Sequence, residues 1–167
     1  MQDALDTMPI DGLIIIGEGI HGEAPMLYAD QRVGTGEGPE VDIAVDPLEG
    51  TTLCAKAQSD ALVAIAASSR GGLMRVPQLY MHKIAIGPGY PDGTVDLDAS
   101  ATENINALAA AKQVPVSEIN VCVLDRPRHG ELIAELREIG AAVRLIRDGD
   151  IAAVIHSANA AESGIDI

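Results

Sequence analysis

The sequence predicts a mixed α/β fold, and two observations support that class. Short apolar runs rich in β-branched residues, at 12–17 and 41–45, have the length and composition of buried strands. From about Ser100 onward, helical and strand patterns alternate along the chain. Because strands joined by a crossover helix are normally parallel, the second half predicts a parallel sheet with helices packed on it.

The first half predicts strands that are each followed by an acidic residue. The run at 12–17 is bounded by glycines and leads into a turn-rich loop that carries Glu18. The run at 41–45 predicts a strand that ends at Asp46, because Pro47 has no N–H to continue the ladder. Carboxylates therefore follow two separate strands.

Three further elements are predicted between Gly50 and the second half. The stretch at 51–62 begins with threonines and predicts a helix, and the aliphatic run at 61–68 predicts a buried strand. The stretch at 80–89, YMHKIAIGPG, predicts another strand followed by a loop.

The second half predicts helices at 101–113, 127–140 and 148–158 and strands at 119–125 and 141–146. The middle helix carries one apolar stripe, with a glycine at the position after its end that favours a left-handed backbone. That stripe and glycine are Leu132, Ile133, Leu136, Ile139 and Gly140.

The two strands of the second half predict a ligand-binding edge. If they are parallel, the loops that follow them meet at the same edge of the sheet, which is where open α/β sheets bind ligands. Arg126 and Arg128 follow one strand, and Asp148, Gly149 and Asp150 follow the other. We therefore expect these residues to lie beside one another.

Composition excludes several classes of partner. The 167-residue chain has a formal net charge of −14, so neither nucleic acid nor an anionic membrane is an expected partner. It has no apolar run near 18 residues, and its two cysteines, Cys54 and Cys122, are expected to be buried thiols in a cytoplasmic protein. An anionic ligand would need a cation to mediate its binding.

Both ends of the chain resemble interrupted elements. The first residues read as the inside of a helix, and the last five, SGIDI, read as the opening of a strand. We expect the sequence to be a piece of a longer protein.

The acidic residues after the strands predict a metal site. Asp46 and Glu49 repel each other unless a cation lies between them, and hard divalent cations such as Mg²⁺ or Mn²⁺ prefer carboxylate oxygens. Glu18 is a candidate third ligand. The alternative is ordinary turn chemistry, since Asp-Pro and Glu-Gly are common in turns and caps.

Several segments together resemble class II fructose-1,6-bisphosphatase, in the lithium-sensitive inositol-phosphatase superfamily. The superfamily is marked by an Asp-Pro-(Ile/Leu)-(Asp/Glu)-Gly-Thr segment that binds metal and phosphate, and DPLEGT in this chain matches it. The resembling segments are IIIGEG and EAPMLY within 14–28, VDIAVDPLEGTT at 41–52, LYMHKIAIGPG at 79–89, RPRH at 126–129 and DGD at 148–150.

The resemblance implies roles for the first group of residues. It makes Glu18, Asp46, Glu49 and the carbonyl of Leu48 ligands for Mg²⁺ or Mn²⁺. Glu49, Gly50 and Thr51 would meet the substrate phosphate, the backbone N–H groups helping to hold it. Thr51 and Glu18 are the implied catalytic residues.

The resemblance also implies that a second group of residues holds the sugar bisphosphate. Arginines pair with phosphate oxygens in a fork geometry, and carboxylates accept hydrogen bonds from sugar hydroxyls. Taken alone, RPRH also reads as a solvated helix start and DGD as a turn with an N-cap. The implied residues are Tyr80, Arg126, Pro127, Arg128, Asp148, Gly149 and Asp150.

The implied fold is the layered αβαβα sandwich of sugar phosphatases, incomplete at both termini. Residues 1–93 would form a metal-bearing lobe and 94–167 part of a sugar-bisphosphate-binding lobe. The implied reaction is metal-assisted hydrolysis of the 1-phosphate of fructose 1,6-bisphosphate, as in gluconeogenesis, in which the cation lowers the pKa of an attacking water. Sedoheptulose 1,7-bisphosphate is a possible further substrate, and a homo-oligomer is expected.

The chain departs from the family pattern at two positions. Ile20 replaces an acid, and Gly22 replaces an Asp that works with the threonine after Glu-Gly to activate water. Loss of general-base assistance commonly costs about 10²–10⁴ in rate. His21 is a candidate replacement base, and a solvated loop histidine is the alternative.

Two other hypotheses stay open at this point. A degenerate paralogue would bind a sugar phosphate or a protein partner without catalysis, as Ile20 and Gly22 suggest. An inositol-monophosphatase-like enzyme would act on another phosphomonoester, but RPRH and DGD match the bisphosphatase more specifically.

Overall fold

The structure is a computed structural model that describes residues 1–20, 22, 24–77 and 79–167. Helices and strands are mixed along the chain, so the predicted α/β class is confirmed. The helices are α1 (Gln2–Asp6), α2 (Thr51–Ala55), α3 (Ala101–Lys112), α4 (Gly130–Glu138), α5 (Asp150–Ala158) and α6 (Ala160–Ser163). The strands are β1 (Asp11–Ile16), β2 (Arg32–Val33), β3 (Glu40–Glu49), β4 (Leu62–Ser69), β5 (Asn120–Leu124) and β6 (Ala142–Ile146).

The chain forms two compact units. The first consists of Met1–Glu49 with Leu62–Tyr80, and the second of Gly50–Ala61 with Met81–Ile167. The segment between β3 and β4 thus belongs to the second unit, although both strands belong to the first. The division into lobes at 93 and 94 stays a prediction.

The first unit is built on a sheet with the strand order β2-β1-β3-β4. β1 runs parallel to β3, whereas β2 and β4 pair in the antiparallel sense with β1 and β3, respectively. Aliphatic side chains from the strands, α1 and the loop after β1 make its core, as the composition without Phe or Trp requires. The core residues are Leu5, Ile14, Leu27, Val33, Ile43 and Val45.

β3 continues further than predicted. It was expected to end at Asp46, but it runs through Pro47 to Glu49. Asp46 pairs with Ala64 and Glu49 with Leu62, so β3 contains one more residue than β4 over this stretch. The extra residue is a β-bulge, which is one of the few sheet positions that tolerate proline.

A buried ion pair holds the opposite end of this sheet. Asp42 is 1% exposed, its Oδ2 accepts a hydrogen bond from the N–H of Gly71 at 2.7 Å, and its Oδ1 lies 3.6 Å from Nη1 of Arg70. The same arginine donates from Nη2 to the carbonyl of Asp11 at 2.7 Å. Arg70 therefore connects the starts of β1 and β3 to the end of β4.

The second unit contains β5 and β6, which are parallel as predicted. In α4 the predicted stripe is confirmed at its centre, where Ile133 and Leu136 are buried, while Leu132 is 38% exposed. Gly140 follows α4 with φ of +83°, as expected for a C′ glycine. The core residues include Ile105, Leu108, Ile119, Val121, Ile133 and Leu136.

The strand predicted within 80–89 is wrong, because residues 81–87 have neither strand nor helix geometry. Their apolar residues are used differently. Ile86 packs against the core of the second unit, and a Cβ on Gly87 would lie 2.7 Å from the carbonyl oxygen of Ser157. The backbone here approaches α5 closely instead of joining a sheet.

The expectation of two buried cysteines is wrong for Cys54, which is exposed on the short helix α2, and Cys122 is only partly buried. In the part of the chain that the structure describes, the helices are too short or too polar to span a lipid bilayer.

Candidate metal and phosphate site

The bulge in β3 brings the two predicted metal ligands to one face of the sheet. In a regular strand, residues three apart point to opposite faces. Here Asp46 lies opposite Ala64 and Glu49 opposite Leu62, and those two partners, being two residues apart, share a face of β4. Because directly paired residues share a face, Asp46 and Glu49 do as well.

A second irregularity changes the register between β1 and β3. Ile14 pairs with Ile43, 29 residues along, but Ile16 pairs with Ala44, which is 28 residues along. β1 therefore also contains an extra residue. If the later register is extended two residues along both strands, Glu18 comes level with Asp46.

The environments of these acidic residues differ. Glu18 is exposed, and its N–H donates to the carbonyl of Leu27 at 2.9 Å. Asp46 is half-buried, and its Oδ1 accepts from the N–H of Leu48 at 3.1 Å. Glu49 is 6% exposed, and Leu48 between them is 40% exposed. Asp46 therefore accepts a local hydrogen bond of the kind that the turn alternative supposes, but the backbone at 46–49 is strand and not turn.

Glycine is required just before Glu18. A Cβ at Gly17 would collide with the backbone carbonyl oxygen of Leu27, the group that accepts the N–H of Glu18. The Gly-Glu-Gly segment thus allows the chain after β1 to lie directly against the returning loop, which fixes the backbone of Glu18.

The donor set fits a hard divalent cation, but the described side chains do not form a complete metal cluster. Carboxylates and a backbone carbonyl are the oxygen ligands that Mg²⁺ and Mn²⁺ take. Across residues 1–20, 22, 24–77 and 79–167, no three His, Cys, Asp or Glu side chains gather closely enough to hold an ion. The ligand roles of Glu18, Asp46, Leu48 and Glu49 stay predictions.

In the second unit, the two glycine-containing segments predicted to bind substrate pack against each other. Gly50 and Gly149 have left-handed backbones, with φ of +81° and +87°. Their Cβ positions would lie 3.1 and 3.0 Å from Cδ1 of Leu53, and each would lie 3.5 Å from the carbonyl oxygen of Asp60. The missing side chains make room for one leucine methyl group between the two segments.

Asp148 fixes the same region through hydrogen bonds. Its Oδ2 accepts from the N–H of Thr52 at 3.0 Å, and its Oδ1 accepts from the N–H of Gly149 at 3.2 Å. Gly149 is the N-cap of α5 and Asp150 is its first residue, so the prediction that DGD forms a turn at a helix start is confirmed.

Lys83 is a cation near the predicted substrate residues that the sequence reasoning did not single out. Its Nζ lies 3.0 Å from Oδ2 of Asp150, and both side chains are largely exposed. The sequence could have indicated Lys83 by its place in the segment YMHKI, three residues after Tyr80, because the chain has few cations.

The two loops after β5 and β6 leave the same edge of the sheet, as the parallel pairing requires. The N–H of Asp125 donates to the carbonyl of Ile146 at 2.7 Å. Arg126 is half-buried and precedes a 3-10 turn at Pro127–His129 that leads into α4, so the helix-start interpretation of RPRH is correct. In that turn Arg128 is exposed, while Tyr80, in the first unit, is 86% exposed.

A pocket of about 500 Å³ in the second unit lies beside the DGD turn. Asp148 and Gly149 border it, together with Arg144 and an ion pair in which Nε2 of His156 lies 3.0 Å from Oδ1 of Asp60. The hydrogen bond from His156 is the main reason why the pKa of Asp60 lies below its ordinary value. Burial raises the pKa of the Cys122 thiol, which also faces the pocket.

The departures from the family pattern lie in an exposed loop. Ile20 is 50% exposed, and Gly22 has φ of +95° with no atom within 4 Å of its Cβ position. His21, the candidate replacement base, lies outside the described residues.

Carboxylates that precede a glycine turn are groups that suit a divalent cation and a phosphate, the combination used in metal-assisted phosphate chemistry. The model of the family described as bacterial fructose-1,6-bisphosphatase, glpX-encoded, matches residues 1–167. The chain belongs to this family, a family of phosphoric monoester hydrolases whose membership implies a divalent metal cofactor.

Curated relatives agree with this assignment. The chain is 50% identical over 155 residues to a protein of Synechococcus sp. named D-fructose 1,6-bisphosphatase class 2/sedoheptulose 1,7-bisphosphatase. It is 46% identical over 155 residues to fructose-1,6-bisphosphatase 1 class 2 of Escherichia coli. Each alignment covers 93% of this chain and 46% of the relative, so the chain spans about half the length of these proteins.

Proposed function

We propose that this chain carries metal-binding and substrate-binding residues for hydrolysis of the 1-phosphate of fructose 1,6-bisphosphate. The products are fructose 6-phosphate and inorganic phosphate. Sedoheptulose 1,7-bisphosphate is proposed as a second substrate, because the Synechococcus relative carries that activity in its name. Mg²⁺ or Mn²⁺ is the proposed metal, and a cytoplasmic homo-oligomer acting in gluconeogenesis is the proposed setting.

The bulge in β3 is the observation that carries this proposal. It turns Asp46 and Glu49 to the same face of the sheet, although their spacing in a regular strand would separate them. Two carboxylates on one face repel each other, and a divalent cation bound between them would neutralise both charges. The register of β1 and β3, if extended two residues beyond Ile16 and Ala44, would bring Glu18 level with Asp46 and so supports a third oxygen ligand.

The protein groups have separate roles in the proposed reaction. Glu18, Asp46, Glu49 and the Leu48 carbonyl would hold the metal, which when bound neutralises phosphate charge and acts as a Lewis acid. The N–H groups that follow Gly50 would orient the phosphate, and the Thr51 hydroxyl would orient the attacking water. Glu18 is proposed to assist the chemistry from the end of β1.

The sugar bisphosphate is proposed to be held by groups of the opposite charge and by hydrogen-bond acceptors. Arg126 and Arg128 would pair with its second phosphate, with Pro127 fixing the turn between them. Asp148 and Asp150 would accept hydrogen bonds from sugar hydroxyls, and the left-handed Gly149 lets the backbone approach. Tyr80 would contact the sugar ring or its phosphate.

The proposal is tested by measuring phosphate release from fructose 1,6-bisphosphate with Mn²⁺, with Mg²⁺ and with a chelator. Metal-dependent release is expected, and Asp46→Asn and Glu49→Gln should abolish it while also weakening Mn²⁺ binding measured by calorimetry. Glu37→Gln, an exposed acid of the same unit, is the matched control and should change neither quantity. Folded protein that binds Mn²⁺ but releases no phosphate would contradict the proposed reaction.

A further inference from the structure

We infer that Asp148 is a positioning residue that fixes the turn at 50–52, in addition to any contact with the sugar. The inference rests on the proposed function, in which Gly50 and Thr51 meet the phosphate. It starts from the hydrogen bond between Oδ2 of Asp148 and the N–H of Thr52, which lies 96 residues away in the sequence.

The helix that begins at Thr51 cannot cap itself. The first N–H groups of any helix lack partners within it, and a side chain at the N-cap usually accepts one of them. Here the N-cap is Gly50, which has no side chain. Asp148 supplies the missing acceptor to Thr52, the second residue of the helix.

Glycine at the N-cap has a reason, which makes an outside acceptor necessary. Gly50 has φ of +81°, and a Cβ there would lie 3.1 Å from Cδ1 of Leu53 and 3.3 Å from Cα of Ala61. A Ser or Asp at this position would meet both an unfavourable backbone and crowding. The turn is therefore shaped by glycine and held by a carboxylate from another loop.

The Asp148 carboxylate is itself held in place. One oxygen accepts from Thr52 at 3.0 Å and the other from Gly149 at 3.2 Å, so both oxygens are oriented by backbone N–H groups. Gly149 packs against Leu53, which keeps the two loops in contact. The position of the 50–52 turn thus depends on the DGD loop.

The first test measures amide hydrogen exchange at Thr52 by NMR in the 167-residue chain, without metal or substrate. Asp148→Ala should make this amide exchange about five- to tenfold faster, the size expected for a lost cap. Asp148→Asn keeps an oxygen acceptor and should restore most of the protection. Asp92→Ala, which removes an exposed acid elsewhere in the same unit, should leave Thr52 unchanged.

Two results would overturn the inference. Thr52 exchange that is the same in Asp148→Ala as in the wild type would exclude the cap. If the alanine variant does not fold, the asparagine variant decides, because a neutral acceptor makes a weaker bond and the Thr52 amide proton should then move upfield. An unchanged proton shift in Asp148→Asn would contradict the contact.

Kinetics with fructose 1,6-bisphosphate and Mn²⁺ test the functional part. A misplaced turn should lower kcat in Asp148→Ala by about tenfold or more, with recovery in Asp148→Asn. A rise in KM with unchanged kcat would instead mean that Asp148 only binds the sugar, which would overturn the positioning role. If the wild type shows no turnover, the proposed function fails, while the exchange experiment still decides whether Asp148 fixes the turn.

Discussion

Leu53 and Gly149 meet so closely that a single added carbon on the glycine would crowd the leucine methyl group. Cδ1 of Leu53 lies 3.0 Å from the position that a Cβ on Gly149 would occupy, and the backbone of Gly149 is left-handed. Both properties disfavour other residues at position 149, the first by crowding and the second by backbone strain.

Gly149→Ala should therefore lower the free energy of unfolding more than the same change at a left-handed glycine that has open space around it. We expect a loss of about 2–3 kcal/mol in the free energy of unfolding, from strain and overpacking together. Gly140→Ala is the matched control, since Gly140 has φ of +83° with no atom near its Cβ position, and it should lose about 1 kcal/mol. Equal losses in urea unfolding would contradict the packing argument.

Gly22→Asp should raise turnover by restoring the carboxylate that the family pattern places there. The position has room for a side chain, and a gain of up to about 10²–10⁴ is the range for general-base assistance. Because φ is +95°, the variant should also lose about 1 kcal/mol of stability, aspartate being among the residues that best tolerate this region. Steady-state kinetics with saturating Mn²⁺ measure the gain.

Gly36→Asp is the control for that experiment, since Gly36 has φ of +78° and open space around it. It should reproduce the loss of stability without any gain in turnover. No gain in Gly22→Asp, with metal demonstrably bound, would contradict the prediction that the missing carboxylate limits turnover.

The Asp60–His156 pair should make stability depend on pH on the acid side. The pKa of Asp60 is lowered from 3.8, so its contribution is present above that value and is lost as the pH falls through the lower pKa of the folded state. Since both side chains are more than a third exposed, His156→Gln should cost only about 0.5 kcal/mol at neutral pH.

The difference in unfolding free energy between wild type and His156→Gln should close as the pH falls below 3.8 and through the lower pKa of Asp60 in the folded state. Urea unfolding across that range provides the measurement, and Asp92→Asn serves as a control without an ion pair. A difference that grows on acidification would show the opposite linkage and contradict the assignment.

Removal of the arginine beside Asp42 should be strongly destabilising. Arg70→Met would leave a carboxylate that is 1% exposed without its cation, a change that typically costs about 3 kcal/mol. The loss should be smaller in an Asp42→Asn background, which a double-mutant cycle would show. Arg32→Met removes a surface ion pair to Asp11 and should stay within about 0.5 kcal/mol of the wild type.

The sequence predicts the elements of this fold better than their local irregularities. Apolar runs and turn residues locate β1, β4, β5, β6 and the helices of the second half. The expectation that the strand at 61–68 is buried is wrong, since β4 has no buried residue and Val63 and Ile65 are 64% and 55% exposed. The prediction of a strand within 80–89 is wrong because the apolar residues of this segment are equally suited to packing irregular backbone against a helix. The prediction that β3 ends at Asp46 is wrong because the proline rule applies to regular ladders and not to bulges.

The candidate site shows the same limit. Residue types indicate which groups suit a metal and a phosphate, but periodicity alone would put Asp46 and Glu49 on opposite faces of a strand. Contacts between residues about a hundred positions apart, such as Asp148 with Thr52, leave no local pattern in the sequence. Tertiary packing decides them.

The extra residue in β3 changes which positions of the strand face each side of the sheet. Up to Asp46, odd and even positions alternate between the faces of the sheet in one phase, and from Glu49 onward they alternate in the other. Deleting Leu48 would remove the extra residue, and Asp46 and the glutamate, then two residues apart, would again share a face of a regular strand. In this stretch the extra residue and the spacing of the two acids therefore belong together, because straightening β3 without shortening it would turn Glu49 away from the side of Asp46.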